Sequence, residues 1–222
     1  MIVDLNLKGK HAVVVGGGTE GVRKVRGLLG QGCRITVVSS RVNQYLANQE
    51  SMGKITIVKR SLKDASILDN FPDIFLLLAA TDDKSLNRRL VEKGREMGAF
   101  VYAADDPPVS DFSYASIVNI EGVIQVAFST SGKSPIMARK IRMRAERLLP
   151  RLISKSDIEN ARLQEFAREA ARPRIGTVMG RKQFLYSIIR NDGIQKLIKE
   201  DKFEEAKRAT LELLQKWEKK SN

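Results

Sequence analysis

Cysteine and histidine are nearly absent. The 222 residues include one of each, Cys33 and His11, which rules out an internal disulfide and leaves no Cys/His cluster of the kind that holds zinc. Long apolar runs are missing as well. Although 42% of residues are hydrophobic, no stretch approaches the roughly 18 apolar residues of a membrane span. Met1 leads into Asp4, Leu5, Asn6 and Leu7 without a basic segment and apolar core, so no secretory signal is expected. A soluble cytoplasmic chain with no membrane partner follows as the expectation. Aromatic residues are scarce at 6%. With no aromatic RNA motif and no helix-turn-helix signature, binding to nucleic acid has only charge to recommend it. Acidic residues are outnumbered, 26 Asp and Glu against 39 Lys and Arg, for a net charge of +13. Such an excess implies an anionic partner or a strongly basic surface. The cations crowd toward the C-terminal half, with Arg139, Lys140, Arg142, Arg144, Arg147 and Arg151 as the densest group.

Up to about residue 104 the chain alternates short β-branched runs with amphipathic segments. His11 to Val15 reads as a strand, Glu20 to Leu29 as a helix, and Arg34 to Val38 and Lys54 to Lys59 as further strands. Ile74 to Ala79 is a fourth strand, Lys84 to Met97 a helix stopped by Gly98, and Ala99 to Ala104 a fifth strand. This alternation predicts a parallel sheet with helices on its faces, an α/β Rossmann-type domain. The pattern then changes. Ala115 to Ile120 and Val123 to Ser129 read as a hairpin across Glu121 and Gly122. Ser134 as N-cap and Pro135 as first residue begin a helix running to about Leu149 and ended by Pro150. Beyond Ser154 only helices are predicted, broken at Arg172-Pro173-Arg174 and at Asn191-Asp192-Gly193. Three parts are therefore expected: 1–113 as the nucleotide-binding domain, 114–150 as a small α+β segment, and 151–222 as a helical C-terminal domain.

Gly16-Gly17-Gly18-Thr19-Glu20-Gly21 satisfies G-x-G-x-x-G between a strand and a helix. In that context Gly16 permits the turn, Gly18 lets backbone approach a pyrophosphate, Gly21 allows close helix–strand packing, and the helix N-terminus receives the negative charge at Thr19 and Glu20. A ribose-binding carboxylate is expected some 20 residues on. Ser39, Ser40 and Arg41 stand there instead, which suits a 2′-phosphate and leaves NAD and NADP both open; Arg41 as a solvated loop residue is the plainer alternative. Ala80, Thr81 and Asp82 close the next strand where a cofactor would lie. Asp82 or Asp83 also serves as a helix cap on this reading. Thr130-Ser131-Gly132-Lys133-Ser134 offers amides, hydroxyls and one ammonium to an anion, or merely caps the following helix.

Four segments together resemble a known family. Gly16-Gly17-Gly18-Thr19-Glu20-Gly21-Val22-Arg23-Lys24 is similar to the GGGxxAxRK signature of the sirohaem synthase dehydrogenase/ferrochelatase family, and Ala79-Ala80-Thr81-Asp82-Asp83 with Asn87 to its AATDDxxxN segment. Ala104-Asp105-Asp106-Pro107 with Phe112 resembles VDxP…F. Ser129 to Pro135 with Ala138-Arg139 resembles S-[ST]-x-G-x-SP…AR. Gly21 departs from the usual alanine, Tyr102 from a common asparagine and Ala115 from a frequent proline.

The resemblance implies an NAD-dependent precorrin-2 dehydrogenase that yields sirohydrochlorin. Some members also insert Fe²⁺ as a substrate. It further implies a middle segment through which two chains dimerise and an acid/base role for Asp105, whose position at a strand end fits that role. An Asp before Asp106, Pro107 and Pro108 is equally an ordinary turn former. The rival reading is a non-enzymatic module of the same fold that senses NAD. His11 and Cys33 are expected to be structural.

Overall fold

Apolar runs such as His11–Val15 and Ile74–Ala79 are what a strand covered on both faces requires, and with three further strands they pair into one parallel sheet. The computed structural model describes residues 2–221. It divides into two units, Met1–Tyr114 and Ala115–Asn222.

In the first unit β1 (His11–Val15), β2 (Arg34–Ser39), β3 (Thr56–Lys59), β4 (Ile74–Ala79) and β5 (Phe100–Ala103) are ordered β3-β2-β1-β4-β5. All neighbours run parallel, with Val15 opposite both Val38 and Ala79, and Ala79 opposite Ala103. The Rossmann-type α/β architecture expected from the alternation is therefore present. β1 is central and buried at every position. Helices α1 (Thr19–Leu28), α2 (Gln44–Ser51) and α3 (Lys84–Glu96) complete the unit. One face of the sheet packs Val13, Leu77, Leu90 and Val101, the other Ala12, Val14, Val25 and Leu78. At roughly 1.5–3 kcal/mol for each large apolar side chain taken out of water, this two-faced core fixes where the strands end.

The chain leaves β1 toward β2 and β3 on one side and then crosses to β4 and β5 on the other. β1 and β4 thus flank a switch point, outside whose carboxyl ends a ligand crevice opens. His11 lies at the opposite end of β1, where its ring is buried, with Nδ1 3.0 Å from Asp73 Oδ1 and Nε2 2.9 Å from Thr36 Oγ1. Cys33 is half-buried and packs beside the second core.

The second unit begins with the antiparallel hairpin β6 (Ser116–Ile120) and β7 (Ile124–Phe128). Three residues, not two, separate the paired ends. Val123 N–H closes the turn on Ile120 C=O at 3.0 Å, and Glu121 and Gly122 take positive φ of 51° and 72°. Helix α4 (Pro135–Glu146) packs on the hairpin. It stops before Leu149, and Pro150 lies instead in the first turn of a separate short helix, α5 (Leu149–Leu152). A first turn has no intrahelical use for the missing N–H, so proline fits a start better than an end. Helices α6 (Lys155–Ala171), α7 (Val178–Ile189), α8 (Asp192–Lys199) and α9 (Phe203–Ser221) enclose a core of Leu163, Phe184, Ile188 and Leu214. Their N-caps Ser154, Thr177 and Asn191 each accept a backbone N–H, and Ser154 forms a full capping box with Asp157.

Candidate active site

The crevice over the carboxyl ends of β1, β2 and β4 has a volume of about 1000 Å³ and is lined by Gly16, Gly17, Gly18, Ser39, Arg41 and Thr81 among others. Gly16 has φ of +116°, and a Cβ there would come within 2.2 Å of the Ala80 carbonyl oxygen, so only glycine serves. A Cβ on Gly21 would lie 1.9 Å from Gly16 O. The strand, turn and helix are that close, which accounts for glycine where the family usually has alanine.

Gly18 differs. It is an exposed, extended N-cap (φ −73°, ψ −170°) with no side-chain cap and open space around its missing Cβ. The amides of Thr19, Glu20 and Gly21 at the start of α1 consequently have no acceptor among the described residues, the first recorded bond being Val22 N–H to Gly18 O at 2.9 Å. Three open N–H groups on a helix N-terminus are the donor set a pyrophosphate needs, so these residues fit the phosphates of a dinucleotide. Ser39, Ser40 and Arg41 line the crevice, as do Arg23, which the sequence reading quoted only as part of a motif, and Arg26 and Arg60, which it did not name.

At the end of β4, Thr81 turns inward. Its hydroxyl lies 2.6 Å from Asn87 Oδ1, and its backbone N–H donates to the same oxygen at 3.1 Å. Asp83, rather than Asp82, caps α3 by accepting Leu86 N–H at 2.9 Å, while Asp82 stays exposed on the crevice. Asn87 is 1% exposed, and its Nδ2 donates to Thr81 O at 3.0 Å and to Asp105 Oδ1 at 2.7 Å. It therefore ties the end of β4 to the end of β5 and fixes the Asp105 carboxylate, whose other oxygen has no hydrogen-bond partner among the described residues. Asp106 points elsewhere, toward Arg88 Nη2 at 3.3 Å. Asn87 was visible as a motif residue, but its bridging role appears only once the two strands lie side by side.

Lys24 is the residue least expected from sequence. It is 4% exposed, with its ammonium 3.9 Å from the Tyr102 ring centroid and 3.6 Å from that of Tyr114. Burial, assisted by the neighbouring Arg23 charge and opposed by Glu20, lowers its pKa from 10.5 to about 8. Burial likewise raises the pKa of both tyrosines.

The remaining site candidates lie in the second unit, where Thr130 to Ser134 form a tight turn. Ser131 and Gly132 have φ of 51° and 79°. Lys133 N–H donates to Thr130 O at 3.0 Å, Ser134 N–H to Thr130 Oγ1 at 2.9 Å, Ser131 N–H to Ser129 Oγ at 3.1 Å, and Met137 N–H to Ser134 Oγ at 3.2 Å. The capping expectation for Ser134 holds. Because the turn consumes most of its own amides, what it presents to an anion is chiefly the exposed Lys133 side chain.

Residues 3–116 match a family model described as "Putative NAD(P)-binding". A siroheme synthase of Nitrosococcus oceani is 34% identical over 213 residues, covering 94% of this chain and 43% of that protein. One of Neisseria meningitidis is 31% identical over 179 residues, covering 81% and 35%. The chain thus spans less than half the length of these relatives. A solved structure titled SirC, precorrin-2 dehydrogenase, shares the fold at 22% identity with a TM-score of 0.66, covering 97% of this chain and 99% of that one. The resemblance drawn from the four motifs is borne out by these relatives. Matched over more than half its length, the chain belongs to this NAD(P)-binding family, alongside the siroheme synthases that its motifs resemble.

Proposed function

We propose that this chain is a cytoplasmic precorrin-2 dehydrogenase, oxidising precorrin-2 to sirohydrochlorin with a nicotinamide dinucleotide as hydride acceptor. The observation that carries the reading is the pairing of an open helix N-terminus with a positioned carboxylate. The α1 amides have room for a pyrophosphate, and Asn87 holds Asp105 at the end of β5 in the same unit. Bound there, the dinucleotide supplies a ring that can accept a hydride. Gly16, Gly18, Thr19, Glu20 and Gly21 cradle its phosphates, Ser39, Ser40 and Arg41 face its ribose, and Ala80 and Asp82 border the reacting end. Asp105 takes the proton released as the hydride departs, so that two hydrogens leave the macrocycle as one hydride and one proton. The cationic Thr130–Ser134 turn, through Lys133, meets the carboxylates of the tetrapyrrole. The names of the relatives support this reading over that of a sensing module.

The segment 114–150 is proposed as the surface through which two copies associate. Two strands are too few for independent stability, and Ile117 in β6 and Ile136 in α4, the helix packed on the hairpin, are 45% and 80% exposed. Light scattering should give about twice the chain mass of 24.8 kDa, and a monomer at micromolar concentration would overturn this part. The activity itself is tested by anaerobic incubation with precorrin-2 and either NAD or NADP, followed by absorption spectroscopy. The spectrum of sirohydrochlorin is expected; no conversion with either dinucleotide removes the reading.

A further inference from the structure

The carboxyl ends of β4 and β5 are already paired by backbone. Ala79 stands opposite Ala103, and Ala104 N–H donates to Ala79 C=O at 2.9 Å. The strands therefore do not need the bond from Asn87 to Asp105; what that bond holds in place is a side chain. Asn87 suits the task because it cannot turn. A side-chain amide has two acceptor positions and two donors, and all four are in use. Oδ1 accepts the Thr81 N–H and the Thr81 hydroxyl, and Nδ2 donates to Thr81 C=O and to Asp105 Oδ1. Since a backbone N–H can only donate, the bond from Thr81 N–H fixes which end of the amide is oxygen and leaves Nδ2 facing Asp105.

The frame behind Asn87 is equally tight. Its own N–H donates to Asp83 C=O at 2.9 Å at the start of α3. A Cβ on Gly16 would lie 2.2 Å from Ala80 O and 3.0 Å from Thr81 N, so the Ala80–Thr81 peptide is packed between the glycine turn and Asn87. Direct contacts thus run from the turn before α1, through that peptide and a buried amide, to Asp105. Asp105 itself is exposed, and only its Oδ1 is tethered. A carboxylate held at one oxygen by a rigid donor presents the other in a fixed direction, and in proton transfer a misplacement of about 1 Å can cost about a hundredfold in rate.

We propose that Asn87 is a positioning residue for the dehydrogenation: it holds Asp105 by Oδ1, leaves Oδ2 as the atom that takes the proton, and raises the rate only through Asp105. This role rests on the dehydrogenase reading above and adds the accepting atom and the residue behind it. In the two-electron oxidation the hydride passes to the nicotinamide ring, and the accompanying proton forms an O–H bond at Oδ2 while Oδ1 keeps its donor. Asn87 touches no reacting atom.

A kinetic double-mutant cycle on the full chain, with precorrin-2 and NAD, compares wild type, Asn87→Leu, Asp105→Asn and the pair. Asn87→Leu is expected to lower kcat by about ten- to a hundredfold, the worth of one hydrogen bond to a charged group, with KM for precorrin-2 and dinucleotide affinity within about twofold of wild type. Added to Asp105→Asn, it should cost no more than about a further twofold, because residues that act as a unit are not additive. Asn87→Ser, too short to reach Asp105 but small enough to admit water beside Thr81, repeats the cycle if the leucine variant fails to fold. A kcat within about twofold of wild type overturns the role. Losses that multiply in the double variant overturn it too, by making Asn87 a clip for the β4 exit, as does a loss confined to dinucleotide affinity. A wild-type chain that converts nothing removes the dehydrogenase reading itself, a result distinct from all of these.

Discussion

Two glycine-bearing turns in this molecule each launch a helix, and they do so in opposite ways. The turn before α4 is closed. Ser129, Thr130 and Ser134 supply three side-chain oxygens that accept Ser131, Ser134 and Met137 N–H, and the turn's own backbone takes Lys133 N–H. The turn before α1 is open, since Gly18 offers no side chain and three amides stay unanswered. An N-cap hydroxyl is typically worth about 1 kcal/mol, so the open turn gives up stability that the closed one keeps. The sequence differences are small, glycine against serine at the cap, yet they separate a place for a ligand from a self-contained joint.

If the open turn marks the reacting side, the largest effect should come from the carboxylate that shares its unit. Asp105→Asn keeps the hydrogen bond partner of Asn87 but cannot accept a proton, and turnover is expected to fall by about 10²–10⁴ with dinucleotide affinity retained. Lys133→Met on the closed turn should instead raise KM for the tetrapyrrole by about tenfold, as expected for a lost charge–charge contact, without that fall in kcat. Steady-state kinetics on both variants separates the roles. An Asp105→Asn enzyme keeping more than about a tenth of wild-type turnover, against the usual loss, would break the assignment.

Next in size is the filling of the open turn. Gly18 has extended dihedrals and free space at its missing Cβ, so Gly18→Asp should fold. Its carboxylate would cap α1 and repel the pyrophosphate, lowering dinucleotide affinity by about 10²-fold or more, the combined loss of charge-assisted hydrogen bonds and added repulsion. Far-UV circular dichroism checks the fold and titration checks the loss. Near-normal affinity would show that the open amides are not the phosphate site. The matching change in the closed turn, Ser134→Ala, should leave dinucleotide affinity alone and cost about 1 kcal/mol in a urea melt.

How much of this contrast was legible beforehand follows from how local each feature is. The central strands β1 and β4 announce themselves because a strand buried on both faces must be a short apolar run, and Ile74–Ala79 falls where the sequence placed it. Helix α2 did not, for Gln44–Ser51 buries only Leu46 and so carries no periodicity. The N-cap Ser134 could be read, since its signal lies within four residues. Asn87 reaches Asp105 eighteen residues away and Lys24 reaches Tyr102 and Tyr114 across the unit. A lysine in the second turn of an amphipathic helix ordinarily looks like part of its wet face. Only the rings delivered by β5 and the segment after it make Lys24 a buried one.

That buried lysine provides the smallest and subtlest way to sharpen the comparison, because α1 encloses an ammonium whereas the cations of α4 are exposed or half-exposed. Lys24 releases its proton near pH 8 in the folded chain and near 10.5 when unfolded. Between those values the unfolded state binds more protons, so this residue makes stability rise with pH across the window, and its full burial penalty applies below about pH 8. Tyr102 and Tyr114, both with raised pKa, give up their protons more readily once unfolded, so they pull the other way toward the top of the window. The useful quantity is therefore the difference between wild type and Lys24→Met. Urea midpoints measured at several pH values from 7.5 upward should show wild type gaining on the variant as pH rises, since methionine has no proton to lose. Part of the penalty at neutral pH is returned by the two aromatic faces, worth about 0.5–2 kcal/mol as cation–π contacts, which keeps the absolute gap modest. A gap that stays constant with pH would mean that the ammonium is hydrated in the folded state, and α1 would then differ from α4 in its open cap alone.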